Sequence, residues 1–147
     1  MIYEVFVPGV VRPQGSLKLF RNPATGKEVA SYSDSTIAWR NKLHLELRQW
    51  WRGLAPIETP VEITFDAWFS RPKAHYGSGR NAGTVKPSAP LWQGGYPDLD
   101  KCARAVGDGL VDAGVLVDDA LVVSWVASKQ WCAPGQEAGA AISVEVL

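Results

Sequence analysis

"VEITFDAWF", Val61–Phe69, is the stretch that decides the fold. Val61, Ile63, Phe65, Ala67 and Phe69 alternate with Glu62, Thr64, Asp66 and Trp68. Successive side chains of a strand point to opposite faces, so this spacing predicts a strand with one face in a core. An apolar face that size needs a layer packed on it.

Upstream, Trp39, Leu43, Leu47 and Trp50 recur at helical spacing and predict the buried stripe of a helix. Ser33 or Asp34 would cap it, and it should end near Trp51. Arg40, His44, Arg48 and Arg52 form a second stripe every four residues. That stripe fits either a phosphate backbone or an ordinary solvated face. Ile2–Val10 alternates and predicts a first strand. Between strand and helix, residues 11–32 form an extended basic loop with Arg12, Lys18, Arg21 and Lys27, and "NPATGK" fits a short hairpin turn.

Downstream, residues 70–97 make the longest irregular segment. It mixes Arg71, Lys73, Arg80 and Lys86 with Gly, Pro and the aromatics Tyr76, Trp92 and Tyr96. Such a loop is either functional or a flexible connection, and its basic and aromatic content suits a polyanion whose bases are also touched. Leu99–Ala113 reads as a helix ending at Gly114. Gly107 and Gly109 each cost it roughly 1 kcal/mol relative to Ala, which implies close approach by another element. Ala120–Gln130 and Ala140–Leu147 read as strands, joined through "APGQEAG". The order β-α-β-α-β-β predicts an α+β fold, a single mixed sheet with two main helices, as one domain over residues 1–147.

Composition bounds the rest. Hydrophobic residues make up 46% of the chain, enough for a core at this length. No apolar run is long enough for a transmembrane helix. "MIYEVFVPGV" has neither a basic leader nor a cleavage site and reads as a strand, not a signal peptide. Cys102 and Cys132 make no disulfide framework or zinc pattern; Cys102 reads as a small core residue, and a cytoplasmic location is expected. The zero net charge hides an asymmetry. Residues 1–53 carry eight basic and four acidic side chains, and residues 98–147 three basic and eight acidic. This fits a polyanion held by one part while metal chemistry occurs at another, or simply mixed surface charge.

The acids concentrate in "PDLDKCARAVGDGLVDAGVLVDDALVV", Pro97–Val123. Asp98 is placed to cap the helix, and Asp100 lies in its first turn, where the dipole favours an anion. Asp100, Arg104 and Asp108 share a helix face as a possible ion-pair ladder. Asp118 and Asp119 suit a turn. A site reading competes with these caps and turns. If the helix start and the strand start lie together at one sheet edge, Asp98, Asp100 and Asp119 present hard oxygens to one cation. Mg²⁺ suits a few carboxylates completed by water or phosphate. Arg104, one turn along, would then stabilise charge on a phosphate. Asp66 is a further acid within reach of such a site, or an exposed strand carboxylate.

This stretch resembles the signature of the RusA-type Holliday-junction resolvases, crossover-junction endodeoxyribonucleases common in phages and prophages. Their pattern is roughly D-x-D-N-x-x-K, a helix with a further Asp, then D-D before a strand. Asp98, Asp100 and Asp119 fall on its metal-binding acids, Arg104 on its essential lysine, Asp108 on the helix Asp and Asp118 on the first paired acid. "VRPQGSLKLF" and "YSDSTIAWRNKL" also resemble the N-terminal half of phage members. The resemblance implies Mg²⁺-dependent hydrolysis, with Mn²⁺ substituting, that resolves four-way DNA junctions by paired symmetric nicks. It implies a homodimer, whose two-fold axis matches that of the junction. Asp98, Asp100, Arg104 and Asp119 would be catalytic. Arg12, Lys18, Arg40, Arg48, Arg71, Lys73, Arg80, Lys86 and Lys101 are the candidates for DNA contacts. For a phage-encoded protein the compartment would be the bacterial host cytoplasm.

Two positions depart from the pattern. Lys101 stands where Asn is usual, and Arg104 where Lys is usual. Arg is a planar fork, not a mobile point charge, so the second exchange bears on rate. The main rival is a branched-DNA-binding protein of the same fold with impaired catalysis. A nucleotidyltransferase would want Gly-Ser just before the acid pair, whereas Gly15-Ser16 lies far upstream. A sugar-nucleotide transferase would need a longer chain. A structural domain whose acids are caps explains each Asp singly but not the basic, aromatic loop beside them.

Overall fold

The structure, a computed structural model, describes residues 1–14, 18–31 and 33–147, with the backbone alone at 18–20 and 29–31. Its elements are β1 (Ile2–Pro8), β2 (Lys18–Arg21), β3 (Glu28–Ser31), α1 (Asp34–Trp50), β4 (Val61–Phe69), α2 (Leu99–Asp112), β5 (Val122–Trp131) and β6 (Gly139–Val146). The fold is α+β. Strands β1-β6-β4-β5 form one mixed sheet, and β2-β3 form a separate hairpin inside the basic loop.

Val61–Phe69 is a central strand, as its alternation predicts. It pairs antiparallel with β6 (Phe65 opposite Ile142) and parallel with β5 (Phe65 opposite Ala127). Val61, Ile63, Phe65 and Ala67 are fully buried beneath the helices. The other face carries polar pairs: Ser124 donates to Glu62 at 2.7 Å and Ser128 to Asp66 at 2.6 Å. Asp66 therefore lies across the sheet from the helices and from the acids of α2. The parallel β4–β5 pair requires a crossover, and α2 supplies it. A local shift in pairing at Val61/Glu62 leaves Val123 without a partner on β4.

Ser33 caps α1, its hydroxyl accepting from the Thr36 amide at 3.4 Å. Trp39, Leu43 and Leu47 are buried as the spacing predicts, but the fourth member of the stripe differs. Trp50 is half-buried and Trp51 is buried, edge-on to Tyr3 at 4.8 Å. The helix ends at Trp50, and the following turn swings Trp51 inward, where its indole N–H donates to the Ala55 carbonyl at 3.1 Å.

Gly107 and Gly109 serve close packing. A Cβ on Gly109 would stand 3.3 Å from Leu43 and Leu47 of α1; one on Gly107 would stand 3.4 Å from the Trp125 ring. We expect Gly109→Val to lower stability by roughly 1–3 kcal/mol through overpacking. Urea unfolding measures this, and an unchanged midpoint would mean the helices separate freely.

The last strands start one or two residues away from the predicted boundaries. Asp119–Leu121 is a turn of 3-10 helix, with Asp118 accepting from the Ala120 amide at 2.8 Å, so β5 begins at Val122 and not Ala120. No helix among the described residues is long and apolar enough to cross a membrane.

Candidate active site at the start of α2

The segment before α2 is held by residues that carry no obvious sequence signal. Gln93 is buried; its amide N–H donates to the Tyr96 carbonyl and its oxygen accepts from the Gly95 amide, both at 3.0 Å. Lys129 reaches from β5 and donates to the carbonyls of Gly95 (2.6 Å) and Pro97 (2.9 Å). This ammonium clamp fixes the backbone that delivers Asp98. The clue to it was a cation in the inward-facing series Trp125, Ala127, Lys129, Trp131.

The rest of the 70–97 loop is also internally bonded. Arg71 donates to the Pro90 carbonyl at 2.8 Å and lies over the Trp131 ring, with its Cζ 5.4 Å from the centroid. Arg71 thus braces the loop. Lys73, Arg80 and Lys86 are exposed, as are Leu91, Trp92 and Tyr96.

Asp98 occupies the N-cap position of α2 but makes no capping hydrogen bond, contrary to its expected role. Its carboxylate accepts from the Lys101 ammonium at 2.9 Å instead. That hydrogen bond, then the Lys101 charge, holds the Asp98 carboxyl below its ordinary range; the same contact raises Lys101. Asp98 is thus an ionised, exposed carboxylate. Asp100 and Arg104 are also exposed and line one cleft of about 600 Å³ with Leu99, Ala103, Trp125 and Ala127.

The expected ladder of Asp100, Arg104 and Asp108 is not formed: among the described residues no ion pair joins them. The Gln14 side-chain amide donates to Asp108, drawing that carboxylate toward the basic segment after β1. Arg40 and His44 face Asp112 at 4.0 and 3.7 Å, so part of the basic stripe of α1 is turned toward α2. Burial holds His44 below its ordinary pKa, against the pull of Asp112. Arg48 is exposed and Arg12 half-buried, and the Lys18 side chain lies outside the described residues, as do Gly15 and Ser16.

Asp119 stands at the other end of α2. It lines a cleft with Arg40, Asp108, Val111, Asp112, Val117 and Asp118. The eight residues from Asp100 to Asp108 alone span about 12 Å of helix. A site of all three acids within one chain needs the start of β5 beside the start of α2. A short turn joins α2 to β5, so the strand begins where the helix ends. Among the described residues of one chain, no three His, Cys, Asp or Glu side chains gather as a metal site. Asp98 and Asp100 fit part of one: two exposed carboxylates suit Mg²⁺, which keeps waters and takes substrate phosphate.

No curated protein matches the chain. The family model described as Endodeoxyribonuclease RusA matches residues 8–145, and the chain belongs to that family.

Proposed function

We propose that this protein is a Mg²⁺-dependent endodeoxyribonuclease, selective for branched DNA, that resolves four-way junctions by paired nicks and acts as a homodimer. Mn²⁺ should substitute for Mg²⁺. The observation that carries the reading is the exposed Asp98–Asp100 pair, on a clamped backbone, with Arg104 one turn along in the same cleft as Asp100. A protein that only binds DNA gains nothing from phosphate-repelling carboxylates held there.

The dimer answers the separation of the acids. A two-fold axis that sets α2 antiparallel to its copy brings each helix start beside the other's helix end. Asp98 and Asp100 of one copy then meet the partner's Asp119, and the two sites sit symmetrically, as two matched nicks require. The apolar wall of Leu99, Ala103, Trp125 and Ala127, with the exposed Val117 and Val123, offers a surface for such pairing.

Asp98, Asp100 and the partner's Asp119 would hold the cation, which when bound polarises a phosphodiester and lowers the pKa of water. Arg104 would hold a non-bridging phosphate oxygen and stabilise charge as it develops. Lys101 holds the Asp98 carboxyl below its ordinary range and adds a cation for the approaching strand. Arg12, Lys18, Arg48, Lys73, Arg80 and Lys86 would grip the arms through phosphates, and Arg40 is shared with Asp112.

The test is a synthetic four-way junction, with linear duplex as control, incubated with and without Mg²⁺. Paired nicks that need Mg²⁺ and are absent from duplex are expected. Binding without nicks in both Mg²⁺ and Mn²⁺ would replace this reading with that of a catalytically impaired junction binder.

A further inference from the structure

The chain after β1 forms a strap across the molecule. Its Gly9 amide donates to the Ala138 carbonyl at 3.0 Å, on the sheet side. Its Gln14 amide donates to the Lys101 carbonyl at 3.0 Å, inside the first turns of α2. Val11 and Pro13 are buried, which fixes the strap and turns Arg12 the other way. Between this strap and the first turns of α1 lies a cleft of about 330 Å³, lined by Gly9, Val10, Arg12, Ser35, Ala38, Trp39 and Lys42.

The cleft is built. Ser35, Ala38, Trp39 and Lys42 fall at i, i+3, i+4 and i+7, one face of α1. Trp39 is only 4% exposed and lies close beneath the strap, where a Cβ on Gly9 would stand 3.1 Å from its ring and 3.6 Å from the Lys42 stem. Among the described residues, two cations and one hydroxyl line the cleft and no carboxylate does; Asp34, which opens α1, is not in its wall. Among the described residues neither Arg12 nor Lys42 has an ion-pair partner. Arg12 stands two residues before Gln14, whose amide donates to the Lys101 carbonyl, so the strap brings the cleft toward the helix start that carries the acid pair.

We propose that this cleft seats a backbone phosphate of the DNA strand that continues to Asp98 and Asp100, with Arg12 and Lys42 as its two cationic walls and Ser35 as a hydroxyl donor. Lys42 is a positioning residue: it sets where the strand enters. This rests on the nuclease reading. A phosphate fits because two cations without ion-pair partners among the described residues line the same cleft as an exposed hydroxyl.

The experiment measures junction affinity across a salt series for wild type, Arg12→Gln, Lys42→Gln and Lys42→Arg. Each lost phosphate contact lowers the slope of log K against log salt by about 0.9 on duplex arms. Arg12→Gln and Lys42→Gln should each show that fall, on junction and duplex alike, and Lys42→Arg should restore the wild-type slope. Lys42 is exposed, so its exchange leaves the fold intact. Unchanged slopes in both Gln variants would overturn the proposal. If wild type neither binds nor nicks junctions, the nuclease reading falls, and the cleft is judged by titrating the protein with a short oligothymidylate. Amide shifts at Gly9, Val10, Ser35 and Ala38 would sustain a phosphate seat, and their absence would end it.

Discussion

Asp100→Asn is expected to abolish junction cleavage and leave junction binding at wild-type strength or slightly above it. The exchange keeps size and shape and removes one charge that phosphate must approach. Asp100 is exposed and has no ion-pair partner among the described residues, so the fold has little stake in it. Loss of an outer partner of a metal ligand costs about 10–100-fold; loss of a ligand itself should exceed about 100-fold. Single-turnover cleavage and gel-shift affinity, measured on one preparation, separate the two effects. Activity near wild type would remove Asp100 from the site.

Arg104→Ala is expected to lower cleavage by about 10²–10³-fold, the loss seen when a group that stabilises developing charge is removed. Arg104→Lys should keep most of the activity, because the cation persists in the same cleft. Since Arg104 is exposed, stability should stay within about 0.5 kcal/mol of wild type in both variants. Equal cleavage by all three proteins would leave Arg104 no part in the reaction. Loss in the Lys variant as well would show that the guanidinium fork itself is needed, and so that this chain has adapted to its departure from the usual lysine.

Several features were legible because they follow from local periodicity. The alternation at Val61–Phe69 gives both the central strand and its buried face, and the spacing of Trp39, Leu43 and Leu47 gives the buried face of α1. The two helical glycines foretold close packing and sit against Leu43, Leu47 and Trp125. What periodicity does not carry is direction in space. The start of β5 follows the end of α2 in the chain, and a short turn keeps them together, so Asp119 is drawn away from Asp98 and Asp100. Competition between local partners is equally hidden. Asp98 has the right position and residue type for a cap, yet Lys101 three residues on offers it a charge-assisted bond. The Lys129 and Gln93 contacts join residues through backbone carbonyls, and carbonyls leave no trace in side-chain patterns.

The separation of the acids along one helix leads to the measurement that tests the account most directly. Differently tagged Asp100→Asn and Asp119→Asn chains are co-expressed, and the mixed dimers are isolated and given a four-way junction with Mg²⁺. If each site joins Asp98 and Asp100 of one copy to Asp119 of the other, one of the two sites carries both substitutions and the other carries neither. The account predicts that mixed dimers nick one strand, while each variant alone is inactive. Inactive mixed dimers, beside a wild-type protein that resolves the junction, would place all three acids of each site within a single chain and contradict the shared site.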